Sequence, residues 1–141
     1  LREFIDADVR FLLIGAHALA AHGLPRATGD IDVWIAANPE NAKKAYKALM
    51  QFGAPSEQIS EADLASPSLV FQMGVRPLRI DVTTSISGVD FEAAWPNRVY
   101  VEIEQMRIPV IGRADLLTNK RATGRAQDLV DADRLDKSTS E

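Results

Sequence analysis

The stretch Asp30-Ile31-Asp32-Val33-Trp34-Ile35-Ala36 decides how this chain is read. Polar and apolar residues alternate through it and the apolar ones are mostly β-branched, which predicts a strand. Successive side chains on a strand leave from opposite faces. Asp30, Asp32 and Trp34 therefore share one face, and Ile31, Val33 and Ile35 share the other. The apolar trio suits a core. The two carboxylates are held ~7 Å apart along the backbone by strand rise, within reach of one cation or a pair. A solvated strand face would show the same two aspartates. A second alternating segment, Pro77 to Thr83, adds weight to the first reading. It puts Arg79, Asp81 and Thr83 on one face and Leu78, Ile80 and Val82 on the other. If the two strands are neighbours sharing one core, Asp81 projects beside Asp30 and Asp32. Three carboxylates on one sheet face suit magnesium, a hard ion that prefers oxygen ligands. The plainer alternative pairs Asp81 with Arg79.

Just upstream, the apolar run Phe11 to Ile14 reads as a buried strand that ends at Gly15, and Ala16 to His22 reads as a short helix stopped by Gly23. Backbone N–H groups at such a junction form an anion site, and a glycine lets a phosphate approach the main chain. Downstream, Asn38 and Pro39 have the chemistry of an N-cap and first helical residue, for a helix running to about Phe52 before Gly53 and Pro55. A short helix is expected within Glu57 to Leu64 and another near Phe91 to Trp95. Further strands are expected at Leu69 to Met73, Arg98 to Ile103 and Arg107 to Ile111. Two helices broken at Gly124 should fill Arg113 to Asp136, and Lys137 to Glu141 should form a frayed tail. The fold class is α/β (α+β): a single domain, residues 1–141, with a mixed sheet of about five strands flanked by helices.

Composition narrows the function classes. The 141 residues include no cysteine, so disulfide frameworks, thiolate zinc sites and iron–sulfur clusters are excluded. No apolar run approaches the roughly 18 residues of a membrane span. With no cysteine and no export-signal pattern at its start, the expected compartment is the cytoplasm. The charge of −4 argues against non-specific nucleic-acid binding, which depends on neutralising phosphates. An RNA partner would have to be held by local arginines such as Arg26, Arg79, Arg121 and Arg125.

Taken together, Leu13-Ile14-Gly15-Ala16 and Gly23-Leu24-Pro25-Arg26-Ala27-Thr28-Gly29-Asp30-Ile31-Asp32-Val33-Trp34 resemble the nucleotidyltransferase superfamily. The late segment Lys120-Arg121-Ala122-Thr123-Gly124-Arg125-Ala126-Gln127-Asp128-Leu129 is similar to one found in small bacterial AbiEii-like proteins, the abortive-infection toxin type. The resemblance spans about residues 11 to 135. It implies transfer of a nucleotidyl group from an NTP to a hydroxyl of RNA, protein or a small molecule, with pyrophosphate leaving. It implies Asp30, Asp32 and Asp81 as the catalytic and metal-binding carboxylates of a two-Mg²⁺ site. It also implies nucleotide contacts from Gly15, Ala16, Arg26, Thr28 and Lys120, and a toxin–antitoxin setting with a cognate antitoxin. Ala16 departs from the family pattern, which has Gly or Ser there, and so lacks a hydroxyl for phosphate. That departure keeps open a second reading, a nucleotide-binding or partner-binding module on the same fold. A two-metal hydrolase would use the same carboxylates.

Overall fold

A computed structural model describes residues 1–25, 29–75 and 78–139. In chain order the elements are α1 (Arg2–Asp6), β1 (Phe11–Ile14), α2 (Gly15–Ala21), β2 (Asp30–Ile35), α3 (Pro39–Phe52), α4 (Glu61–Leu64), β3 (Val70–Val75) and β4 (Leu78–Thr83). They continue with α5 (Phe91–Ala94), a 3₁₀ turn (Trp95–Asn97), β5 (Val99–Ile103), β6 (Met106–Val110), α6 (Arg113–Thr123) and α7 (Ala126–Thr139). The strands form one six-stranded mixed sheet in the order β3-β4-β2-β1-β6-β5, one strand more than the approximate count expected.

The sheet order follows from the apolar pattern. β1 is a continuous apolar run because it lies in the middle, covered on both faces, and Phe11, Leu12 and Leu13 are all essentially inaccessible. It pairs antiparallel with β2 and parallel with β6. β2 then pairs parallel with β4, which makes the two alternating segments neighbours. Only the second half of β2 is buried on both faces: Val33, Trp34 and Ile35 are in the core, while Asp30, Ile31 and Asp32 are partly exposed. The carboxylates thus stand where the sheet emerges from its cover.

The helix ends obey local chemistry. Asn38 caps α3 by accepting the Asn41 N–H at 2.8 Å, and Gly53 ends it with φ 105°. Ser60 and Asp63 form a reciprocal capping box on α4. Gly124 separates α6 from α7 at φ 68°. α7 continues to Thr139, a correction to the frayed tail expected from Lys137 onward. Lys137 pairs with Asp133 at 2.9 Å, one turn earlier. His22 follows α2 and is buried, its Nε2 donating to the Ile111 carbonyl at 2.8 Å. Arg113 donates to the carbonyls of His22 and Leu135, and so ties α2 and α7 to the start of α6. No helix among the described residues is long and apolar enough to cross a membrane.

Candidate active site

The parallel register sets Asp32 opposite Asp81 and Asp30 opposite Arg79. Partners in register project from the same face of a sheet, so the three aspartates gather on one side, as the alternation predicts. They are not equivalent. Arg79 Nη2 donates to Asp30 Oδ2 at 3.1 Å and to Asp81 Oδ2 at 3.4 Å. Its Nε also lies 3.1 Å from Asp81 Oδ1, but without hydrogen-bond geometry, and both atoms are buried. Asp32 is left with the carboxylates. Burial, then the charges of Asp81 and Asp30, push its pKa up to about 6, and Arg79 offsets this only in part.

Gly15 lies directly beneath this group. Its φ is +69°, and a Cβ there would run into Asp32 Oδ2. The bend between β1 and α2 therefore requires glycine for two reasons, its conformation and the space the carboxylate occupies. Gly15, Ala16 and Asp32 line a cleft of about 690 Å³. Lys120, Thr123 and Asp128, from α6 and α7, line the same cleft. Asp32 is the one member of the carboxylate group that borders this cleft among the described residues.

Lys120 is buried with two acids. Its Nζ lies 3.0 Å from Asp128 Oδ1 and 3.6 Å from Asp131 Oδ2, and the Asp131 side chain is only 1% exposed. Asp128 also accepts from Thr123 Oγ1 at 2.7 Å and faces Arg125 Nε at 3.0 Å. Burial raises the Asp128 pKa, but the hydrogen bonds from Thr123 and Lys120, with the nearby positive charge, outweigh it and the net direction is down. Gln127 Nε2 donates to Asp131. Sequence reasoning singles out Lys120, as a nucleotide contact, and Arg125, but not Asp131 or Thr123. The available signal was the i, i+3 spacing of Asp128 and Asp131, which puts both acids on one face of α7.

Other expectations resolve unevenly. Arg26 and Thr28 lie outside the described residues. Trp34 shares the carboxylate face but is 1% exposed, edge-on to Phe91 with ring centroids 5.0 Å apart. It is a core residue. Arg121 faces Asp136 at 3.2 Å, so of the arginines suggested for RNA, Arg79, Arg121 and Arg125 each face a carboxylate.

The donor set, all carboxylate oxygen beside a glycine cradle, has the chemistry of a hard divalent cation site. Arg79 offsets one of the three negative charges. Asp32 and Asp81 fit such an ion, which commonly takes one or two carboxylates and completes its shell with water and phosphate oxygens. Among the described residues no group of three acidic or histidine side chains is gathered so as to hold a metal. Asp30, the expected third ligand, is turned to Arg79 instead.

No family model matches the chain, and no curated protein matches it. Among solved structures it is similar to the crystal structure of "a putative nucleotidyltransferase (TM1012) from Thermotoga maritima", with a TM-score of 0.56 and 19% identity. The match covers 99% of this chain and 89% of that one. At that identity the likeness is one of fold, and it extends over the whole mixed sheet with its flanking helices.

Proposed function

We propose that this chain is a nucleotidyltransferase that moves a nucleotidyl group from a nucleoside triphosphate to a hydroxyl acceptor. The observation that carries the reading is the placement of Asp32, which meets the Gly15 bend and borders a cleft with Lys120, in register with Asp81 on the adjacent parallel strand. The fold shared with the Thermotoga protein supports it.

In this reading the triphosphate lies in the cleft with its oxygens toward the backbone N–H groups at Gly15 and Ala16. Lys120 has three N–H donors. Asp128 accepts from one of them at 3.0 Å, Asp131 lies at ion-pair distance, 3.6 Å, and a remaining donor would serve a phosphate oxygen. Asp32 and Asp81 would hold Mg²⁺, which when bound neutralises charge developing on the transferred group. By the resemblance, Asp81 would also help take the proton from the acceptor hydroxyl. Asp30 would serve as a further ligand only if Arg79 released it. The acceptor is the hydroxyl of an RNA, a protein or a small molecule, and a cognate antitoxin fits the toxin-type resemblance of the late helix.

The test is incubation with each labelled NTP, Mg²⁺ and total RNA or cell lysate. Labelled product with matching pyrophosphate is expected for the native chain and is expected to be lost in Asp32→Asn. Absence of product with every NTP sinks the proposal. A binding module on the same fold is favoured by one observation, the clamp of Arg79 on Asp30 and Asp81. It would show Mg²⁺-dependent thermal stabilisation by an NTP without pyrophosphate release.

A further inference from the structure

Arg79 is oddly placed for a structural arginine. It stands in register with Asp30, two residues before Asp81, and its guanidinium reaches both carboxylates. It is itself only 25% exposed, and the two acids are 22% and 16% exposed. A guanidinium stays charged at any pH a protein survives, so it is a permanent cation inside an acidic group. The fit is incomplete. Arg79 Nε and Asp81 Oδ1 are both buried and neither has a well-directed hydrogen bond, a deficiency that leaves the clamp replaceable. The clamp also accounts for the failure of three carboxylates to gather around one point.

We propose that Arg79 is a tethered counter-ion of the acidic group, and that a divalent cation binds by exchange, with the guanidinium leaving Asp30 and Asp81 as the ion arrives. This rests on the proposed function only for the identity of the ion. The exchange holds the site closed to metal until the gain from binding metal exceeds the loss of the guanidinium contacts. An arriving triphosphate shifts that balance. Its oxygens add ligands to the ion, and its negative charge offers the displaced Arg79 a new partner.

The exchange is tested with Mn²⁺ alone as probe, by the relaxation of water protons, on the full chain without nucleotide. Arg79→Met is expected to bind Mn²⁺ at least tenfold more tightly than the native chain. Arg125→Met removes the same charge from the cleft that Asp32 borders, where Arg125 pairs with Asp128 rather than with Asp30 or Asp81, and is expected to change affinity less than threefold. A gain below threefold in Arg79→Met, or an equal gain in both variants, overturns the exchange. A second measurement is read on the native chain itself. The Arg79 Nε–H resonance of the native chain, assigned by its absence in Arg79→Lys, should shift as Mg²⁺ saturates the site, and an unmoved resonance overturns the exchange as well. The two proposals fail separately. Tightened Mn²⁺ binding without nucleotidyl transfer keeps the exchange and removes the transferase, whereas transfer with unaltered Mn²⁺ binding does the reverse.

Discussion

Asp32 and Asp81 face one another in register across the parallel β2–β4 pair, and Asp32 is the carboxyl whose pKa rises to about 6. Between about pH 4 and 6 the folded chain therefore holds a proton that the unfolded chain has released. Stability falls across that window as pH rises, and is level above it. Asp32→Asn keeps the shape and removes the charge. The variant is expected to be more stable than the native chain at pH 7.5 by about 1–2 kcal/mol, a figure already reduced for the solvent screening of a partly exposed group. The difference should vanish by pH 4. Urea denaturation at the two pH values measures it, and equal stability at both would show that Asp32 is not strained by its neighbours.

Gly15→Ala puts a methyl group where Asp32 Oδ2 now lies, at a φ of +69° that side chains rarely adopt. Backbone strain of this kind costs about 1–2 kcal/mol, and the carboxylate must also swing away. We expect a lower urea midpoint with an unchanged denaturant slope, together with loss of the pH-dependent instability assigned to Asp32. A Gly15→Ala chain as stable as the native one would contradict the close approach of the bend to β2.

Lys120, Asp128 and Asp131 form a buried ionic group, so removing one member leaves charge without its partner. Lys120→Met removes the ammonium that Asp128 and Asp131 share at the buried end of the cleft, and is expected to cost about 3–5 kcal/mol. Asp131→Asn keeps a polar group beside Gln127 and Lys120 and should cost about 1–3 kcal/mol. In the double variant neither charge is stranded by the other, so its cost should fall short of the sum of the single costs. A thermodynamic cycle by urea denaturation reads the difference. Strict additivity would mean that Lys120 and Asp131 do not interact.

Strand periodicity made the acidic face legible. Alternation in β2 and β4 placed Asp30, Asp32 and Asp81 on one side, and the apolar run of β1 marked a buried strand. What alternation could not convey was how the charges settle. Arg79 and the three aspartates are four polar residues on one face, and only the register shows that Arg79 stands opposite Asp30. Trp34 illustrates the same limit. It alternates correctly with Asp32 yet is buried, because Phe91, 57 residues later, packs against its ring near the end of β2. Asp131 escaped because the Lys120 group joins two helices through a turn at Gly124, and the i, i+3 spacing on α7 does not by itself tell which side chain of α6 its acids meet.

Asn41 offers a test of the scaffold that leaves the site's own residues untouched. It is 3% exposed in the first turn of α3. Its Oδ1 accepts the Arg10 N–H at 2.8 Å, and its Nδ2 donates to the carbonyls of Arg10 and Ala36 at 3.0 and 2.9 Å. One side chain therefore closes the backbone where β1 begins and β2 ends, at the far end of those strands from Gly15 and Asp32. Replacement by alanine deprives these backbone groups of their amide partner. Ala36 N–H still donates to the Arg10 carbonyl, so the loss is partial. Asn41→Ala should cost about 2–4 kcal/mol, on the basis of about 1–3 kcal/mol for each buried group left unpaired. Because the damage is remote from the cleft, Mn²⁺ affinity below the melting transition should stay within twofold of the native chain. A large fall in metal affinity without loss of stability would mean that α3 reaches the acidic group by a route these hydrogen bonds do not show.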